Sequence, residues 1–136
     1  MMLAGNFFYI KTLHQESGRI NAVLEINAGH KIFEGHFPAQ PVVPGVCMMQ
    51  MVKEILEQAT GKLTRLVSAD NLKFLTVIDP RENSIIHAEI KYAVGVDDQI
   101  KLSASLVNVG VVYFKMSGVF VVEGELRPPF EFNQNS

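Results

Sequence analysis

Apolar and polar positions alternate along most of this chain with the two-residue period of strands, and a single stretch is long and apolar enough to be a helix. Runs rich in β-branched and aromatic residues over 6–12 and 19–26 flank the polar turn Gln15-Glu16-Ser17-Gly18, which predicts a strand pair. Alternation is sharpest over 84–94, where Ile86, Ala88, Ile90 and Tyr92 oppose Ile85, His87, Glu89 and Lys91. Positions 71–77, 99–108 and 111–122 read as further strands, the last two joined by a turn at Asn108-Val109-Gly110. After Ile32 the pattern changes. Pro38, Pro41 and Pro44 break any regular element, and 45–60 then reads as a helix that Gly61 stops. Its first two turns are apolar nearly all round and are expected to be buried, with Lys53, Glu54 and Glu57 beginning a solvated face. Several strands and one central helix predict an α+β architecture, a curved antiparallel sheet wrapped around that helix.

Composition narrows the possibilities. At 136 residues, 48% of them apolar and 19% charged, the chain fits one domain with a full core, here placed at 1–126 with a polar tail at 127–136. A formal charge of −2 and scattered lysines and arginines argue against nucleic acid as a partner. Lys73, Arg81 and Lys101 could meet an acidic protein, although dispersed cations of this kind are usually just solvated. Cys47 is the only cysteine, so no intramolecular disulfide can form, and no Cys/His cluster has metal-ligand spacing. The N-terminal residues lack the pattern of a signal peptide, and the apolar stretch 111–122 is too short to span a bilayer as a helix. A cytoplasmic location without a membrane anchor is expected.

The chemistry concentrates in Gly-His-Phe-Pro-Ala-Gln-Pro-Val-Val-Pro-Gly, positions 35–45. His36 lies between a glycine and a proline-constrained loop, so its imidazole is held in a defined direction, and it titrates near neutrality. Nine residues on, Gly45 opens the helix, where the N–H groups of Gly45 and Val46 are helix-terminal donors with partial positive charge. A thioester carbonyl docked there would have its enolate stabilised after loss of the neighbouring proton, with His36 as the base.

The segment from Gly35 to Val46 resembles the signature of the FabZ and FabA type of bacterial 3-hydroxyacyl-ACP dehydratases, and the order of elements through Val122 is similar to that family's hot-dog domain. The resemblance implies dehydration of a 3-hydroxyacyl chain, carried on acyl carrier protein or coenzyme A, to the trans-2-enoyl thioester. It implies no metal or organic cofactor. It also implies a site at a dimer interface, so a homodimer or higher homo-oligomer is expected, with a heterodimer with a related chain as the alternative. The family's histidine falls on His36 and its carbonyl-binding glycine on Gly45, with Val46 beside it. The family's acidic residue, fourteen positions after the histidine, falls on Gln50. An amide can hydrogen-bond a hydroxyl but cannot deliver a proton as a carboxylic acid does.

Three readings follow from that departure. The first is a working dehydratase in which Gln50 orients the hydroxyl. The second is a non-catalytic acyl-thioester-binding or partner subunit, and the third is a thioesterase on the same fold. Gln50 is the only polar residue in 46–52 and needs a partner if buried. Glu54, one turn on, is the nearest carboxylate and reads as solvated. Met48, Met49 and Met51 read as core filling that could also shape an acyl tunnel. His14, His30 and His87 have no motif around them and are expected to be structural or solvent-facing.

Overall fold

The computed structural model describes residues 2–34 and 41–126. Six strands form one antiparallel sheet: β1 (Phe8–Glu16), β2 (Arg19–Ile26), β3 (Lys62–Phe74), β4 (Ile85–Val94), β5 (Gln99–Asn108) and β6 (Val111–Glu125), in the order β1-β2-β4-β5-β6-β3. The helix α1 (Gly45–Thr60) lies between β2 and β3 in sequence and packs against the sheet's apolar face. This is the hot-dog fold expected from the element order.

The strand sequences explain the layering. Ile86, Ala88 and Ile90 of β4 are buried while Ile85, His87, Glu89 and Lys91 are exposed, so one face of the sheet is dry and the other wet. Met51, Val52, Ile55 and Leu56 of α1 are fully buried and share one core with Leu24, Ile86, Phe114 and Phe120. Pro44 supplies the extended N-cap of α1, and Gly61, in the left-handed region at φ 73°, closes its end with an N–H to the Glu57 carbonyl. A 3₁₀ turn at Lys31–Phe33, absent from the sequence pattern, is capped by His30, whose Nδ1 accepts the Ile32 N–H at 3.0 Å.

Burial within α1 differs from expectation. Glu54, Ile55, Leu56 and Glu57 are all buried, whereas Val46, in the half expected to be covered, is 65% exposed. The helix is enclosed at its C-terminal half because β1, the N-terminal segment and the start of β3 close over it there.

Strand β3 also differs. It begins at Lys62, nine residues before the expected position 71, and forms one edge of the sheet. Its pairing with β6 slips at Val67 and Asp70, bulges that spoil the alternation a sequence reading depends on. Gly118 of β6 sits opposite, where an added Cβ would lie 2.5 Å from the Ser68 carbonyl oxygen, so this approach of β3 requires glycine. From Val67 to Phe74 both faces of β3 are exposed.

The β5–β6 hairpin turns on Val109 and Gly110 with φ of 39° and 77°, and Val109 is 92% exposed. A β-branched residue is ill suited to that region, where asparagine is favoured. Val109→Asn is therefore expected to stabilise the protein by about 1 kcal/mol, read as a higher urea midpoint at unchanged slope. A lower midpoint would show that the valine side chain makes a compensating contact.

Candidate active site

The site is built from the first two turns of α1 and what faces them. Pro44 has no N–H, and its carbonyl accepts from Cys47 and Met48 at 3.0 and 3.2 Å. The N–H groups of Gly45 and Val46 are thereby left as the helix-terminal donors, and neither has an acceptor among the described residues. The Phe74 ring lies against Gly45. An added Cβ there would meet Phe74 Cε1 at 2.7 Å, so any side chain at this position displaces the ring. Phe74 in turn stacks on Phe114 at 5.1 Å, and Val43 donates to the Ile78 carbonyl, which ties the approach to the helix to the chain leaving β3. Gly45 borders a cleft of about 350 Å³ whose walls include Met48, Phe74 and Val77.

Val46 and Gln50, four residues apart on one helix face, line a different cleft of about 350 Å³, floored by Met49, Leu66, Met116 and Phe120. The structure thus brings Val46 and Gln50 together and sets Gly45 in the neighbouring cleft. His36 lies outside the described residues. Met49 is half-buried at the cleft, whereas Met48 and Met51 are buried in the core.

Glu54 corrects the reading of this helix. Rather than opening a solvated face, it is 4% exposed and its Oε1 and Oε2 accept the backbone N–H groups of Ala4 and Leu3, each at 2.7 Å. Gln50 Nε2 donates to Glu54 Oε2 at 2.8 Å, which gives the amide the partner its position demanded. Glu57 is likewise buried, accepting from the Thr64 N–H at 2.7 Å and pairing with Lys53 at 3.1 Å. The physical reason is common to both. Each carboxylate satisfies backbone donors of a segment that crosses the helix, so burial is offset by charge-assisted hydrogen bonds. Two polar residues at i and i+4 within an apolar helix were the available signal.

The remaining candidates line neither cleft. Cys47 is buried, which pushes its thiol up from its ordinary value and away from nucleophilic use. His30 caps the 3₁₀ turn and meets Phe7 edge-on, while His14 and His87 are exposed. Among the described residues no group of three or more His, Cys, Asp or Glu could hold a metal ion, and no helix is long and apolar enough to cross a membrane.

A model of the ApeI-like family, described as ApeI dehydratase, matches residues 12–107, most of the sheet and all of α1. The chain belongs to this family. A 3-hydroxyacyl-[acyl-carrier-protein] dehydratase FabZ from Aeromonas hydrophila is 32% identical over 120 residues, covering 84% of this chain and 70% of the relative. Among solved structures, the dehydratase heterocomplex ApeI:P from Xenorhabdus doucetiae contains a chain that superimposes with a TM-score of 0.57 at 18% identity, covering 81% of this chain and 94% of that one. A phenylacetic acid degradation-related protein from Ralstonia eutropha superimposes with a TM-score of 0.59 at 15% identity, covering 82% and 83%. At these identities the structural matches establish the fold alone. The family match and the FabZ relatives make this a dehydratase-type hot-dog protein.

Proposed function

We propose that this chain dehydrates a 3-hydroxyacyl thioester, carried on acyl carrier protein, to the trans-2-enoyl thioester in fatty-acid-type or related acyl-chain synthesis. The observation that carries the reading is the pair of N–H groups on Gly45 and Val46, which have no acceptor among the described residues, at the start of the helix that also presents Gln50. A thioester carbonyl accepting from these donors gains most when it becomes an enolate, since the donors are fixed before the charge develops. His36 takes the C2 proton. The electron pair of the broken C–H bond becomes the new C2–C3 π bond, the C3–O bond breaks, and the oxygen leaves as water after taking the proton back from the imidazolium. Gln50 orients the hydroxyl. The FabZ relatives, whose name specifies a carrier-protein substrate, support the choice of carrier.

A second reading, a partner subunit that completes its site with a related chain, is favoured by two observations. Gln50 stands where the family has an acid, and β3 leaves an edge with Val67, Leu72 and Phe74 exposed, onto which another strand could add. A homodimer or a heterodimer would use the same edge.

The test is to incubate the purified protein with a short 3-hydroxyacyl-ACP and follow the intact carrier by mass spectrometry. Loss of water that His36→Ala abolishes is the expected result. Binding of the carrier without water loss, with turnover restored by a related chain, would replace this reading with the partner-subunit one. Release of the free carrier thiol would make the protein a thioesterase.

A further inference from the structure

The wet face of the sheet carries charge that the fold does not use. Lys11, Lys53, Lys62, Arg65 and Arg81 each have a carboxylate partner. Arg19 of β2, Lys91 of β4, Lys101 of β5, Lys115 of β6 and Lys73 of β3 are exposed and make no ion pair among the described residues, and away from this face only Lys31 shares that state. The register sets Arg19 directly opposite Lys91 and Lys73 directly opposite Lys115. Like charges facing each other across a ladder are destabilising. Glu16, in register with Arg19, reaches His14 instead, and Glu89, beside Lys91 on the same strand, pairs with none of the five. Between the cations the sheet is lined by small polar side chains. Arg19, Lys91 and Lys115 bound a groove of about 460 Å³ over Asn21, Ser103 and Ser105, and a hollow of about 210 Å³ shares Ser103 and Lys115 and adds Lys73. From β2 to β3 there are four strand spacings, so the basic band is roughly 19 Å wide.

We propose that this face is the docking surface for an acidic carrier protein and that its Lys73 end delivers the carrier's thioester arm to the candidate active site. The proposal rests on the dehydratase reading above, with the substrate on a carrier protein. The band is too broad for one phosphate or carboxylate group and has the reach of a protein footprint, about 800 Å² on each partner. Its lining of serine and asparagine offers nothing apolar to insert into a lipid surface. The chain as a whole has a formal charge of −2, so the attraction is confined to this face. Position ties the face to the chemistry. Lys73 directly precedes Phe74, whose ring lies against Gly45 and forms a wall of the cleft there. A carrier that must arrive and leave in every turnover is served by complementary charge, which speeds encounter without a large apolar interface. The two like-charge pairs are then retained for the partner at a cost to the fold.

The test reverses charge at the centre of the band with Lys91→Glu and Lys115→Glu combined. Dehydration is measured at low ionic strength with 3-hydroxyhexanoyl-ACP and with the same acyl group on N-acetylcysteamine, a small uncharged carrier. The KM for the protein-borne substrate should rise by about tenfold or more with little change in kcat, and the loss should be confined to that substrate. Lys31→Glu reverses an exposed, unpaired cation off the face and should leave both substrates unaffected. The same double variant gives Arg19 and Lys73 opposite charges across the ladder, so its urea midpoint should rise. Stability gained while carrier affinity is lost is a combination that damage to the fold does not produce.

An unchanged KM for the carrier-protein substrate in the double variant would overturn the docking surface while leaving the dehydratase reading intact. So would an equal loss on both substrates. Unchanged carrier kinetics together with lost binding to phosphatidylglycerol vesicles would give the face to a lipid surface instead. Dehydration of neither substrate by the unaltered protein would remove the dehydratase reading, and this inference with it. If the double variant does not fold, ionic strength decides on the unaltered protein. Added salt should raise KM for the carrier-protein substrate and not for the small thioester, and a KM for the carrier that is flat with salt would overturn the proposal.

Discussion

Replacing Glu54 by leucine is expected to lower the unfolding free energy by about 3 kcal/mol, more than most single substitutions at a residue two turns into a helix. Three donors lose their acceptor at once: the backbone N–H groups of Leu3 and Ala4 and the side chain of Gln50. Each buried donor left unsatisfied costs about 1 to 3 kcal/mol, while removing the carboxylate relieves part of its own desolvation, so the sum is not fully expressed. Leu3, Ala4 and Phe7 are buried core residues, and the turn they form is held to α1 through Glu54. The loss should therefore be local first. Amide exchange at residues 3 and 4 should accelerate at denaturant concentrations where β4 and β5 remain protected. A loss below 1 kcal/mol, with those two amides still protected, would mean that packing of Phe7 and Leu3 holds the segment without the carboxylate.

The same residue shows where a sequence reading stops. Strands β2 and β5 and the helix α1 lie at the positions their patterns predict, because each is regular from end to end and bounded by turn or cap residues. Strand β1 begins two residues later than expected, since 3–7 form a turn over the helix rather than an extended start. Strand β3 starts nine residues and ends three residues earlier than expected, because an edge strand with two bulges has no consistent dry face to read. The site divides in the same way. Gly45, Val46 and Gln50 are legible through a motif, as the helix start and the side chain that lines a cleft, while His36 of the same motif lies outside the described residues. Glu54 and Glu57 are not legible, because a carboxylate beside a lysine on a helix ordinarily faces water. What buries these two is the crossing of the N-terminal segment and of β3, contacts 50 and 51 residues away in sequence for Glu54 and 7 for Glu57.

Gln50→Glu should restore the family's acid and, at the same time, make stability depend on pH in a way that the amide does not. The substitution places an acceptor where Glu54 now receives an N–H at 2.8 Å, so two carboxylates at this distance hold one proton between them. The introduced carboxyl thus has a folded-state pKa raised above that of the unfolded chain. A group raised in this way binds its proton more tightly in the native state. The variant is then close to its parent in stability at and below the unfolded carboxyl range, and loses ground as pH rises through the folded value. At pH 8 the deficit should reach about 1 to 2 kcal/mol, reduced from the fully buried figure because position 50 is only half-buried. Activity should follow the same proton. While the pair holds it, the introduced acid can protonate the departing hydroxide, a role worth about 10²-fold or more, and dehydration should exceed that of the parent. Once the proton is lost at higher pH, the gain should disappear together with the stability. Urea midpoints and rates measured from pH 5 to 9 on the two proteins test both halves. A stability difference flat across that range would show that the introduced carboxyl turns away from Glu54, and a rate below the parent's at every pH would show that the site depends on an amide at this position.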